Sequence, residues 1–167
     1  AETADIAIKA SLTGQLVLST LHTNDAAGAI TRLVDMGVEP FLVASALKGV
    51  VAQRLVRVIC TKSKEPFRPA PRLLHEIVGS GDGQVFRGKG CEACKQRGYK
   101  GRLGIFELLV MNDATREQVV AKAPAHLVRE AAHAAGMRSL REDGIAKALA
   151  GRTTLEEALR VTQSERP

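Results

Sequence analysis

The sequence predicts an α/β protein. A short apolar run, Gln15-Leu16-Val17-Leu18, stands between two stretches of helical pattern and suits a buried parallel strand. Further strand candidates at 84–87 and 102–110 precede a C-terminal stretch that reads as helix from Asp113 onward.

Residues 3–10 predict the first helix. Ala4, Ile6, Ala7, Ile8 and Ala10 crowd one broad side, and Gly14 follows as a stop. The strand candidate 15–18 ends abruptly in Ser19-Thr20-Leu21-His22-Thr23-Asn24. Hydroxyls and an imidazole thus stand where an apolar strand runs out, the edge at which open α/β sheets bind ligands. Asn24 or Thr23 is expected to cap a helix over 25–36, with Asp25 in its first turn and Gly37 past its end. Ala26, Ile30, Leu33 and Val34 form its apolar stripe. Pro40 opens a longer predicted helix reaching about Val58, on the spacing of Phe41, Ala44, Leu47, Val51, Leu55 and Val58.

After Cys60 the pattern dissolves into polar residues with Pro66, Pro69 and Pro71. A short helix near 72–78, a turn over 79–83 and a strand over 84–87 are expected. Gly88, Gly90, Gly98 and Gly101 flank Cys91 and Cys94, as in a tight knuckle. The strand 102–110 comes next, with Leu103, Ile105, Leu108 and Val110 apolar. Farther on, Thr115-Arg116-Glu117-Gln118, Ser139-Leu140-Arg141-Glu142 and Thr154-Leu155-Glu156-Glu157 fit capping boxes, and Pro124 fits a first helical turn.

A chain of 167 residues suits one domain or one and a half, at roughly 100–200 residues each. Phe 4, Tyr 1 and Trp 0 argue against a stacking platform for single-stranded nucleic acid. No apolar run approaches the ~20 residues of a membrane span. The start of the chain carries no basic region followed by an apolar stretch, so no secretory signal is expected. With three cysteines, an odd number, a disulfide scaffold is not expected, and the reducing cytosol is the expected compartment.

The net charge of +6 is unevenly placed. The segments 54–72 and 86–102 together carry +10, leaving −4 for the rest, and both contain cysteines. Such a basic module suits phosphate or anionic lipid, lowered thiolate pKa values near a metal, or simply a solvated face.

Particular residues could carry chemistry. His22, among hydroxyls and an amide, can hydrogen-bond a phosphate or assist proton transfer, or else belongs to a loop that caps the next helix. Cys91-x-x-Cys94 has metal-knuckle spacing, with Cys60 farther upstream. A tetracysteine site would want a cysteine at 63, where this chain has Ser63. Three thiolates with water, or with a distant donor such as His75, could hold zinc; a metal-free knuckle held by turns is equally compatible. Arg54 and Arg57, expected on one helix face, could clamp phosphate or a neighbouring subunit's carboxylates, or serve as cations at a helix end. The phosphate-cradling Gly-x-x-x-x-Gly-Lys-Ser/Thr loop, the Gly-x-Ser-x-Gly elbow and a His-Glu-x-x-His helix do not occur.

Taken together, Thr13-Gly14, Leu18-Ser19-Thr20-Leu21-His22-Thr23-Asn24, Thr31-Arg32-Leu33, Met36-Gly37-Val38-Glu39-Pro40-Phe41 and Ala52-Gln53-Arg54-Leu55-Val56-Arg57 form a specific combination. Cys91-x-x-Cys94, Gly98-Tyr99-x-Gly101-Arg102 and Gly104-Ile105-x-Glu107-Leu108 extend it. The chain resembles, over nearly its whole length, the C-terminal part of the type II secretion ATPases, the GspE kind. Related pilus-assembly ATPases share most of these motifs, and 35–41 looks more like the secretion branch; the alternatives outside the motor are a non-catalytic docking or interaction module and a basic nucleic-acid binder with a zinc knuckle.

The resemblance implies a RecA-like parallel-sheet core over 1–57, a cysteine subdomain over 58–101, a return strand over 102–112 and a helical C-terminal subdomain over 113–167. It implies ATP and magnesium as cofactors, with the family's Walker A loop and Walker B glutamate preceding this stretch, so that this stretch alone is expected to be inactive. It places His22 near the γ-phosphate as an accessory catalytic residue, with Thr20, Arg54 and Arg57 at the nucleotide or an interface. It makes Cys60, Cys91 and Cys94 zinc ligands, with Ser63 a departure at the fourth position. The implied partners are copies of itself in a homo-hexamer, inner-membrane platform proteins of the GspL type and anionic lipid, but not nucleic acid. The implied place is the cytoplasmic face of a bacterial inner membrane, where ATP hydrolysis drives pseudopilus assembly and protein export.

Overall fold

The computed structural model describes residues 2–69, 77 and 84–163. The helix expected near 72–78, the turn expected over 79–83 and His75 lie outside the described residues, Ile77 excepted. The chain divides into two compact units, Ala1–Ala52 with Glu107–Ser139, and Gln53–Phe106 with Leu140–Pro167. The division falls within two long strands, β1 (Gly49–Ile59) and β4 (Tyr99–Val110), which are neighbours in a two-stranded sheet.

The first unit is mainly helical. Its helices are α1 (Glu2–Leu12), α2 (Ala26–Asp35), α3 (Pro40–Ala46), α4 (Asp113–Val120) and α5 (Ala125–Ala134). Asp25 lies just outside α2 as its N-cap, not in its first turn, and accepts a 2.6 Å hydrogen bond from Gly28 N. A carboxylate is a stronger acceptor than the side chain of Thr23 or Asn24, the two expected caps. Gly37 turns left-handed after the helix, at φ 93°. Likewise α4 is capped by Asn112, which accepts from Thr115 N at 2.8 Å. Thr115, expected as a cap, is instead buried inside the helix. The core joins Ile30, Val43, Leu109, Val119 and Val128, so α2, α3, α4 and α5 share it with the end of β4.

The strand expected at 15–18 does not form. Leu16 and Leu18 are 86% and 87% exposed, and no described strand pairs with the run. Four residues cannot hold a strand without a neighbouring ladder. The helix expected from Pro40 to Val58 also needs correction, since it stops at Ala46 and the chain becomes β1 from Gly49. Val50, Val51, Val56, Val58 and Ile59 are β-branched, and such side chains favour the pleated strand over a helix. Consequently Arg54 and Arg57 stand on a strand, where a separation of three puts them on opposite faces.

The second unit combines an antiparallel strand pair with two helices. Strands β2 (Lys64–Phe67) and β3 (Val85–Gly88) pair antiparallel, from Lys64 opposite Gly88 to Phe67 opposite Val85. Helices α6 (Leu140–Leu149) and α7 (Leu155–Val161) complete it. Thr154 caps α7 by accepting from Glu157 N at 3.2 Å, as its capping box predicts. Gly144 lets α7 approach: a Cβ there would already stand 3.0 Å from that of Ala158. Val85, Ala148 and Leu155 form the local core, with Ile77, Ile145 and Leu149 packed on it. The strand expected over 102–110 is β4, which starts earlier, at Tyr99. Among the described residues no helix is long and apolar enough to cross a membrane.

Candidate functional site

The cysteine cluster is built by chain crossings that depend on glycine. Cys60 directly follows β1 and donates its N–H to the Gly98 carbonyl at 2.9 Å. A turn brings Ser63 back, its N–H on the Cys60 carbonyl at 3.1 Å, and its own carbonyl accepts from Lys89 N at 2.9 Å. Gly88 and Gly98 lie so close that a Cβ on either would overlap the other's carbonyl oxygen. Between them a 3-10 turn, Glu92–Cys94, carries the paired cysteines. Lys95 and Gln96 come next, at φ 53° and 59°. Consecutive non-glycine residues in the left-handed region cost backbone energy, which the surrounding bonds must offset.

This path gathers three thiols. Cys60 Sγ lies 3.8 Å from Cys91 Sγ, and Cys91 Sγ lies 3.7 Å from Cys94 Sγ. All three sulfurs fall within 4.8 Å of one another. Ser63 Oγ stands 3.9 Å from Cys94 Sγ. Burial pushes the Cys94 thiol up, but N–H donors from Cys91 and Gly98, at 3.2 and 3.3 Å, outweigh it together with the Cys91 and Ser63 side chains. The thiol is brought down to about 6 and favours the thiolate. Zinc–thiolate bonds of about 2.3 Å in a tetrahedron put neighbouring sulfurs about 3.8 Å apart, so the cluster fits zinc. Cys60, Cys91 and Cys94 would hold the ion, which would fasten the end of β1 to the knuckle.

Arg57, in the same unit, is tied to a buried carboxylate. Glu157 Oε2 accepts from Arg57 N at 3.0 Å and Oε1 from Arg57 Nη2 at 2.7 Å, while Arg160 reaches both oxygens. The guanidinium also covers the Tyr99 ring at 4.2 Å, and Tyr99 Oη shares a 3.0 Å hydrogen bond with Thr154. Burial raises the Glu157 carboxyl, but hydrogen bonds from Arg160 and Arg57 prevail and hold it at about 2. Arg54 is half-buried on the other face of β1.

His22 and Thr20 belong to the first unit, both exposed, in a stretch without regular structure. The start of α2, just beyond them, is firmly held. Asp25 binds Arg129 Nη2 at 2.7 Å, and buried Glu107 accepts from Ala26 N at 2.8 Å. The structure therefore brings the cysteines and Ser63 together, and places His22 and Thr20 in one unit and Arg54 and Arg57 in the other. Sequence reasoning missed Glu107 and Glu157 as anchors. For Glu107 a signal existed: it shares the inward register of β4 with Ile105 and Leu109, where a charge needs a partner.

The family model of Type II/IV secretion system proteins matches residues 1–160. The chain belongs to this family. It is 51% identical over 166 residues, 98% of its length, to type II secretion system protein E of Pseudomonas aeruginosa, of which it covers 33%. It is 56% identical over 162 residues to the type II secretion system protein HxcR of the same organism, covering 97% of the chain and 31% of that protein. It is 52% identical over 165 residues to the type IV pilus assembly ATPase PilB of Thermus thermophilus, covering 95% of the chain and 18% of PilB. The chain thus spans at most about a third of the length of these relatives. The crystal structure of the pilus retraction motor PilT with bound ADP superposes with a TM-score of 0.65 at 23% identity, covering 99% of this chain and 37% of that one, which establishes a shared fold.

Proposed function

We propose that this chain is the C-terminal part of a hexameric secretion ATPase that couples ATP hydrolysis to pseudopilus assembly and protein export. The observation that carries the reading is its identity of about half, along nearly all its length, with type II secretion proteins. In this reading residues 1–57 and 102–112 belong to a RecA-like core, 58–101 to a zinc-binding subdomain and 113–167 to a helical subdomain. The hexamer works at the cytoplasmic face of the inner membrane, against platform proteins of the GspL type and anionic lipid.

ATP with magnesium supplies the phosphoryl transfer, and the phosphate-cradling loop is supplied by sequence other than these residues. His22 offers an imidazole N–H to an anionic oxygen, and its exposure leaves that donor accessible. Thr20 adds a hydroxyl beside it. The anchors at Asp25 and Glu107 fix the start of α2 and so limit where the His22 segment can travel. Arg54 serves an interface or the nucleotide. Arg57 does so only with the part of its side chain that Glu157 leaves exposed. Pilus assembly is a second reading, favoured by the 52% identity to PilB.

A chimera tests this. The matched third of the Pseudomonas aeruginosa type II secretion protein E is replaced by this chain, and ATP turnover and export are measured. Turnover and export should survive, and His22→Ala in the chimera should lower kcat about 10–100-fold while KM for ATP moves less than about threefold. A folded, hexameric chimera without turnover would overturn the reading. The 167-residue chain alone should not hydrolyse ATP, since it lacks the phosphate loop that positions the transferring group.

A further inference from the structure

The thiol cluster can supply three corners of a tetrahedron, and the Ser63 hydroxyl stands beside one of its sulfurs. An oxygen bound directly to zinc at about 2.0 Å would stand about 3.5 Å from a neighbouring thiolate. Ser63 Oγ lies 3.9 Å from Cys94 Sγ, outside that distance. The Ser63 backbone is itself fixed on both sides, through Cys60 and Lys89. A neutral hydroxyl also brings no charge to a site in which thiolates are the strong donors. The corners differ in access: Cys60 and Cys94 are 2% and 1% exposed, whereas Cys91 and Ser63 are half-buried. The two residues of the cluster with exposed surface are therefore Cys91 and Ser63, and Ser63 is the one without a thiolate. Lys62, Lys64, Lys89 and Lys95 are close in sequence, so the module offers positive charge for an arriving anion.

We propose that a metal bound by Cys60, Cys91 and Cys94 keeps an exchangeable fourth position on the Ser63 side. Water fills it, hydrogen-bonded to the Ser63 hydroxyl, and a small thiol can take its place. The exchange is a ligand substitution with no redox change. The metal–oxygen bond breaks and water leaves, a metal–sulfur bond forms, and the thiol proton passes to buffer. Zinc sites closed by four protein ligands are structural, and those with an open position bind and activate exogenous ligands. The departure at Ser63 moves this cluster from the first kind to the second, independently of the ATPase reading.

Cobalt(II) reports the coordination directly. The reduced 167-residue chain is loaded with cobalt(II) without oxygen, and its thiolate-to-cobalt charge-transfer absorption is followed while 2-mercaptoethanol is added. Equilibrium dialysis counts the metal and the bound thiol, and far-ultraviolet circular dichroism checks the fold. The wild type should bind one cobalt, take up one thiol per cobalt and gain about a third in charge-transfer intensity as three thiolates become four. Ser63→Cys should begin at the higher intensity and take up no thiol. Ser63→Ala should still take up thiol, because the hydroxyl holds only the water. A folded wild type that binds no cobalt overturns the proposal, and so does one whose bound cobalt takes up no thiol.

Discussion

Glu157 holds Arg57 at two points, accepting from its backbone N–H at 3.0 Å and from its guanidinium at 2.7 Å. A wholly buried carboxylate thereby fixes both the strand and the side chain it carries. Two arginines and a backbone N–H compensate its desolvation. Glu157→Gln should cost about 1–3 kcal/mol at neutral pH, read by urea unfolding. The pH dependence has a definite sign. The folded carboxyl titrates at about 2 against an ordinary 4.5, so its contribution is complete above about 4.5 and disappears as pH falls toward 2. The gap between wild type and Glu157→Gln should therefore narrow below pH 4.5, and a gap constant from pH 7 to 3 would contradict the assignment.

Glu107 should behave differently. It accepts from Ala26 N, and Ala26 has no exposed surface. Glu107→Ala leaves that N–H buried without an acceptor and should cost about 2–3 kcal/mol, whereas Glu107→Gln keeps an oxygen there and should cost about 1 kcal/mol. Amide hydrogen exchange at Ala26 checks the cause: protection should be lost in the alanine variant and kept in the glutamine variant.

The glycines of the knuckle divide by mechanism. Gly88→Ala and Gly98→Ala force a methyl into a backbone carbonyl, so each should cost more than about 2 kcal/mol and weaken metal retention. Gly101, at φ 88°, has open space around its missing Cβ. Gly101→Ala should cost only the left-handed conformation, about 1 kcal/mol, and leave metal retention unchanged. Thermal melts with zinc analysis separate the two groups.

Zinc should leave the native cluster readily. With three thiolates and an exchangeable corner, chelator should strip it at least about tenfold faster than from Ser63→Cys. Release followed with a chromogenic chelator measures both rates, and equal rates would show that the native fourth corner is already closed.

How much of this is legible in the sequence depends on whether a signal separates rival structures. The cap at Thr154 and the glycine-flanked cysteine pair have local chemistry that specifies them. Leu47, Val51 and Leu55 do not: a spacing of four puts residues on one face of a helix and equally on one face of a strand. The β-branched residues around them are the better guide, and Val51, placed by the helical spacing in a buried stripe, is 62% exposed. The run 15–18 misleads because its composition describes a strand, whereas pairing is supplied by other segments. Cys60 and Cys91 lie 31 residues apart along the chain, and spacing alone does not say that they meet. The identity of Ser63 does mark which corner differs. Glu157 escapes notice because a helical glutamate looks solvated until the strand it meets is known.

Tyr99 has a practical consequence. The chain contains one tyrosine and no tryptophan, so its tyrosine emission comes from a single ring. That ring lies beneath Arg57, shares a hydrogen bond with Thr154 and immediately follows Gly98, whose N–H reaches Cys94 Sγ. The protein therefore carries an intrinsic optical reporter between the Arg57–Glu157 pair and the thiol cluster. Metal loading and acidification of Glu157 can each be sought in the fluorescence of an unlabelled sample of this chain, with no background from any other indole or phenol.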